Sequence, residues 1–441
     1  MAGLSSTLEI AKNTLLNEQV QIQIASYNIA NADNTAYARQ KANLTTNPAT
    51  RIQAGWIGTG ARIETITQVR DQYVERQLLT STAQESDQST RAGFLEALGT
   101  YVNDTGDTGI SAELGAFWDA WDTLSQNPTG TVARQGVITA AQSLAQAFNS
   151  TQTNLTSMKE DLQSQVGDTA EKINSILEQI ADYNYSIIRL ESGGDSANDL
   201  RDLRYEALTE LSHELGIAFT EEENGAITVT LQDGSETITR VSDHKAGDLA
   251  YDATSGLLSY TDAEGSSVTP DPNALSGGTL AGLLASLEEV STANGQLDTL
   301  VSELVGEVND LYGSTVFDGT TMADITVYSD FTDPENIDGE QASLMADLQN
   351  TKWTNLDDST FTGYLSSIQQ QIGLDEAEAT SQAEYQQALV DYFQTKQQSI
   401  SGVSIDEEMV DLIKYQQIYQ AAAKIVSTTQ ELLTTVIAMV D

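Results

Sequence analysis

Apolar residues recur at both ends of the chain in alternating steps of four and three. From Leu4 they fall at Leu8, Ala11, Leu15, Ile22, Ala25 and Ile29, with Glu18 interrupting the series. Such a/d spacing predicts a helix with a coiled-coil seam over about three and a half heptads. Leu16, Val20, Ile24 and Tyr27 form a second stripe on the same helix, so the alternation in QVQIQI (19–24) reads as two helical faces rather than a strand. A matching seam closes the chain at Ile405, Met409, Leu412, Gln416, Tyr419, Ala423, Val426, Gln430, Leu433, Ile437 and Val440. Ser404 with Glu407 three residues on is a capping-box signature that starts this last helix. The two ends are therefore expected to pair, leaving the second stripe wet until neighbouring molecules cover it.

Between the ends, apolar positions from Val137 through Leu144, Phe148, Leu155, Leu162, Val166, Ile173, Ile176 and Ile180 predict long helix over 134–190, and a similar pattern predicts another near 284–312. Ile110, Leu114, Phe117, Trp118, Trp121 and Leu124 share one helical face that reads as core, and Asn127-Pro128 ends that helix. GWIGTGARIETITQV (55–69) reads as a turn into a strand. A helix over about 197–215 leads into alternating runs separated by Asn224-Gly225, Asp233-Gly234, Ser255-Gly256 and Glu264-Gly265, hairpin signals that extend a sheet to about 270. Residues 314–355 read as loops with a short strand at Ile325–Tyr328. The fold class expected is mainly α with a β insertion. Its domains are nested: 1–45 with 398–441 as a terminal coiled-coil assembly unit, 46–195 with 273–397 as a helical middle, and 196–272 as a helix leading into an outer β insertion.

Composition narrows the function classes. With 65 acidic against 20 basic residues and a formal net charge of -45, the long-range field repels nucleic acid and anionic membranes. Residues 19–40 carry only Asp33 and Arg39, a near-neutral stretch in this acidic chain. Cysteine is absent, which removes disulfides, thiolate metal sites and cysteine nucleophiles. The first residues have no basic start or unbroken apolar run, so no cleavable secretory signal is expected. His213 and His244 have no nearby His or Cys to complete a metal site. PENIDG (334–339) echoes a calcium loop, but Pro334 and Met345 stand where first and twelfth ligands are needed. Without a nucleophile elbow, phosphate loop or dinucleotide fingerprint, the reading is of a non-enzyme with no cofactor. A secreted, calcium-dependent surface hydrolase is the alternative from the enzyme class.

YNIANADNTAYARQ (27–40) resembles the N-terminal signature of flagellar rod and hook axial proteins, and SIDEEMVDLIKYQQIYQAAAKIVSTTQELL (404–433) resembles their C-terminal helix. Tyr37, Arg39 and Gln40, with YQQIYQAAAK, are similar to the hook–filament junction members of that family, as are segments 124–149, 198–229 and 303–312. Ala36 replaces the usual glycine, at a conformational cost if that position needs a positive φ. The resemblance implies a structural subunit of the flagellum, exported unfolded by the type III route, extracellular, and assembled as a ring between hook and filament. Its implied partners are further copies of itself, the hook protein, a second junction protein, and an export chaperone on the C-terminal helix. Another axial protein, the second junction protein or a hook subunit, is the nearer alternative. The assembly interface expected comprises Leu4, Leu8, Leu15, Leu16, Val20, Ile22, Ile24, Tyr27, Ile29, Asn31, Tyr37, Arg39 and Gln40 at one end. At the other it comprises Ile405, Met409, Leu412, Tyr415, Tyr419, Ala423, Val426 and Leu433.

Overall fold

The computed structural model describes residues 2–52, 55–102, 109–194, 196–233, 236–242, 245–268 and 275–439. Helix α1 (Ala2–Ala30) is followed by a β-ribbon of β1 (Gln40–Thr46), β2 (Thr50–Ile52), β3 (Gly55–Ile57) and β4 (Ala61–Gln68). β1 pairs antiparallel with β4 and β2 with β3. Helices α2 (Gln72–Val102), α3 (Ile110–Gln126), α4 (Thr131–Glu191) and α5 (Asn198–Glu214) come next. The β insertion holds β5 (Ala218–Glu221), β6 (Ile227–Asp233), β7 (Glu236–Ser242) and β8 (Lys245–Ala246) in one sheet. β9 (Asp248–Asp252), β10 (Leu257–Thr261) and β11 (Ser267–Val268) form a second. Helix α6 (Thr279–Tyr312), the small pair β12 (Phe317–Asp318) and β13 (Thr326–Val327), α7 (Ala342–Asp347), α8 (Phe361–Ser401) and α9 (Ile405–Ala438) complete the chain.

Helices from the two ends of the chain pack on one another in turn. α1 runs along α9, and α2 along α8, so the chain's two ends close successive layers. α3, α4 and α6 enclose an aromatic centre in which Trp118 stacks on Phe361 at 5.9 Å and Trp121 meets Tyr312 at 5.7 Å. Trp118 and Trp121 belong to the helical face at 110–124 that the sequence pattern places in the core. Hairpin turns fall where glycine allows them: Gly225, Gly256 and Gly265 have φ of +84, +70 and +92. The Asp233-Gly234 turn and His244 include residues outside those described. Where α5 ends and α6 begins, Gly278 (φ +88) sits so close that a Cβ would lie 2.4 Å from the Leu215 nitrogen. Its own N–H donates to Ala83 O at 2.7 Å, tying α2 into the same corner.

One contiguous hydrophobic core runs from Leu79 to Ala379 and includes both sheets through residues such as Val229 and Tyr260. No residue of α1, the ribbon or α9 belongs to it among the described residues. The terminal pair is thus a separate, thinly buried unit, whose buried apolar residues on the helices are, among the described residues, Ala11, Ile24, Ala25 and Ala422.

Candidate assembly interface and its junction

The expected α1 seam is present. Ala11, Glu18 and Ala25 are buried and Leu4, Leu8, Leu15, Ile22 and Ile29 half-buried. The α9 seam is rotated from its expected register. Leu412, Val426 and Leu433 are half-buried as expected and Gln416 and Gln430 are exposed, while the contact runs instead through Glu408, Tyr415, Ala422, Thr429 and Val436. Ile405, Met409, Tyr419 and Ile437 lie exposed, as does Ala423. Val410, Ile413, Ile418, Ile425 and Leu432 are exposed as well. The polar residues Glu408 and Thr429 occupy seam positions, which hydrophobic periodicity alone assigns to their apolar neighbours. Val440 lies outside the described residues.

The second α1 stripe divides. Leu16 and Tyr27 are exposed, whereas Ile24 is buried and Val20 half-buried. The ribbon lies along the α1 face that carries Ile10, Asn17, Ile24 and Asn28. Asn17 donates to Ala61 O at 2.8 Å and accepts from Ile63 N at 3.2 Å, and Gly60 lies against Ile10. So part of the stripe expected to stay wet is covered by the chain's own ribbon, which straddles the boundary drawn at residue 46.

The 27–40 signature closes a polar knot. Asn28, 1% exposed, accepts from Tyr37 Oη at 2.6 Å and Gln40 N at 3.0 Å, and donates to Gln40 O at 3.0 Å. One side-chain amide thereby satisfies both backbone groups of the first strand residue and holds α1, the loop and β1 together. Sequence reasoning included Asn31, Tyr37 and Gln40 but missed Asn28. The signal was its place in the quoted motif. Asn31 itself donates to Tyr27 O at 2.9 Å on the surface. Arg39 N donates to Ser401 O at 2.9 Å, so the loop abuts the α8–α9 break. The Ser404 hydroxyl accepts from Glu407 N, as the capping signature requires, while the Glu407 carboxylate faces Arg39 at 3.4 Å. Ala36 does not have a positive φ: among described non-glycine residues only Asp357 and Asp358 do. The missing glycine therefore brings no strain.

Below the knot, Asp202 of α5 anchors the loop to the body. Its Oδ1 accepts from Ala38 N at 3.2 Å and Gln68 Nε2 at 2.8 Å, and pairs with Arg70 at 2.5 Å. Arg70 also pairs with Glu75 at 2.6 Å and lies over the Tyr205 ring at 4.5 Å. Burial lifts the Asp202 carboxyl to about 6, against the opposing pull of Arg70. Beside it, Arg201 grips Glu191 at 2.8 Å and Glu221, and buried Arg204 donates to Asn184 Oδ1 and Gly225 O. Burial also raises Glu18 and Glu408 within the α1–α9 seam, with Lys414 opposing at Glu18 and Asn28 and Arg39 opposing at Glu408.

Elsewhere carboxylates serve the backbone. Asp333, just before the calcium-loop echo, and Asp338 within it accept from Glu335 N and Glu340 N and start 3-10 turns. His213 is exposed, with Nδ1 3.2 Å from Ser86 Oγ. No group of three or more His, Cys, Asp or Glu suited to a metal occurs among the described residues, and no helix is long and apolar enough to cross a membrane.

Terminal helices paired with each other, a signature loop at their junction and a β insertion borne on long helices agree with the architecture that the resemblance to flagellar axial proteins implies. The model for the flagellar hook-associated protein FlgK helical domain matches residues 95–325, and that for the flagellar basal body rod FlgEFG protein C-terminus matches 396–439. The chain belongs to the flagellar hook-associated protein FlgK family, structural proteins of the hook–filament junction. Flagellar hook-associated protein 1 of Bacillus subtilis is 26% identical over 494 residues, covering 98% of this chain and 97% of that protein. The protein of the same name from Salmonella typhimurium is 27% identical over 305 residues, 67% of this chain and 54% of its own length. The structure of the flagellar hook junction protein FlgK from Burkholderia pseudomallei superposes with a TM-score of 0.65 at 16% identity, over 74% of this chain and all of that one.

Proposed function

We propose that the chain assembles into a ring at the hook–filament junction through its terminal helices, after export in an unfolded state through the flagellar type III route. The observation that carries this reading is the set of large apolar side chains that α9 leaves exposed around its contact with α1, among them Met409, Ile413, Ile418, Ile425 and Leu432. Large apolar side chains left exposed at this density on one helix mark interaction surfaces. The terminal pair shares no core with the body, so it buries little apolar area to offset its ordering entropy. Contacts with neighbouring copies supply what the isolated pair lacks.

On this reading the α1–α9 pair with the ribbon forms the inner unit, the helices from α2 to α8 the middle, and the sheets of residues 218–268 the outer surface. Its axial neighbours are the hook protein on one side and a second junction protein on the other, and an export chaperone shields the exposed apolar side chains of α9 before secretion. The final location is outside the cell. Deleting residues 1–40 tests the assembly role: the truncated chain should stay folded and soluble yet fail to join filament to hook. Filament growth in a strain carrying only that truncation would overturn it.

A further inference from the structure

The ribbon's free end differs in charge and exposure from the rest of the chain. Arg51 and Arg62 are exposed there, and Glu64 is the one acidic residue in the ribbon's sequence, in a chain of net charge -45. Arg51 pairs across the turn with Trp56, which is 71% exposed, and Ile57 beside it is also exposed. A tryptophan held open on a hairpin next to an arginine has the composition of a binding hot spot.

A surface of complementary chemistry lies on α8. Leu374, Tyr385 and Tyr392 are exposed along the side of the helix not covered by α2. Glu378, Glu384 and Asp391 are exposed among them. Tyrosine faces accept tryptophan edges and arginine planes, and the carboxylates match the ribbon's positive charge.

The two surfaces are far apart within one molecule. Gly60, close to the ribbon tip, lies against Ile10, about 27 Å along α1 from Asn28 at the junction. The α8 stripe lies beyond that junction, on a helix that packs with α2 while α1 packs with α9. We propose that the ribbon tip of one copy docks on the exposed α8 stripe of a neighbouring copy, linking successive subunits outside the inner tube. This rests on the reading of the chain as a ring-forming subunit.

The test places p-benzoylphenylalanine at position 56 of the full chain and irradiates purified hook–filament preparations. Cross-linked dimers of the chain, with position 56 joined to a peptide from residues 374–392, are the expected product. Their yield should fall at least tenfold when the partner stripe carries Tyr385→Ser and Tyr392→Ser, changes at exposed positions whose folding is checked by an unaltered melting curve. Cross-links only to another axial protein, to another part of this chain, or to nothing would overturn the docking proposal. Absence of the chain from the preparations would instead overturn the ring-subunit reading on which it rests.

Discussion

Tyr37 Oη donates to Asn28 Oδ1 at 2.6 Å, joining a loop tyrosine to a helix residue nine positions earlier. The same oxygen takes the Gln40 N–H, so one buried amide sets the angle at which the chain leaves α1 and enters the ribbon. Removing the hydroxyl and removing the amide have different consequences, because the first deletes one donor while the second strands several groups.

Tyr37→Phe should destabilise the junction by about 1 kcal/mol, and Asn28→Ala by about 2–3 kcal/mol. Hydrogen exchange at the Gln40 amide reads this locally: protection should drop in both variants, further in Asn28→Ala. Unchanged protection in Asn28→Ala would mean that the knot does not hold the loop.

Arg70 sits between the carboxylates of Asp202 and Glu75, both largely buried. Arg70→Met strands these acids and should lower stability by about 3–5 kcal/mol. Adding Asp202→Asn should recover part of that loss, which thermal or urea unfolding of the two variants measures.

The same aspartate makes stability depend on pH. Its folded pKa, about 6 through burial, lies above that of the unfolded chain, so the native state holds the proton more tightly. This contribution is present below about pH 4 and is lost as pH rises through the folded value. Urea unfolding between pH 5 and pH 7 should show wild-type stability falling more steeply than that of Asp202→Asn, by up to about 1.4 kcal/mol per pH unit. Parallel slopes would contradict the assignment.

Glu18 interrupts the α1 seam, is buried, and leaves Oε2 without a hydrogen-bond partner. Glu18→Leu should therefore strengthen the α1–α9 pair by about 1–2 kcal/mol, seen as increased hydrogen-exchange protection in α1. A loss of protection would show that the carboxylate supports the pairing.

How much was legible in the sequence depended on how each element is stabilised. Where burial is apolar and periodic, as at Phe117, Trp121, Leu144 and Ile173, helices and core faces were readable directly. The β turns were readable because Asn224-Gly225 and Ser255-Gly256 place glycine where φ is positive. The register of α9 was not, because Glu408 and Thr429 enter the contact while Met409 and Ile437 stay out. The α2–α8 pair was weakly marked for a related reason: Ser81, Thr82, Ala83, Ser86 and Gly99 supply much of the buried face of α2. The ribbon's grip on α1 depends on the single polar side chains Asn17 and Asn28, which no periodicity reveals.

As a member of the FlgK family the chain belongs to the junction between hook and filament. Immunogold electron microscopy of isolated hook–filament structures, using antibody to the exposed β insertion, tests it most directly. Gold should be confined to a narrow band on the hook-proximal side of the junction. Gold at the filament-proximal side would indicate the second junction protein. Labelling along the hook, along the filament or on the cell surface would contradict the assignment outright.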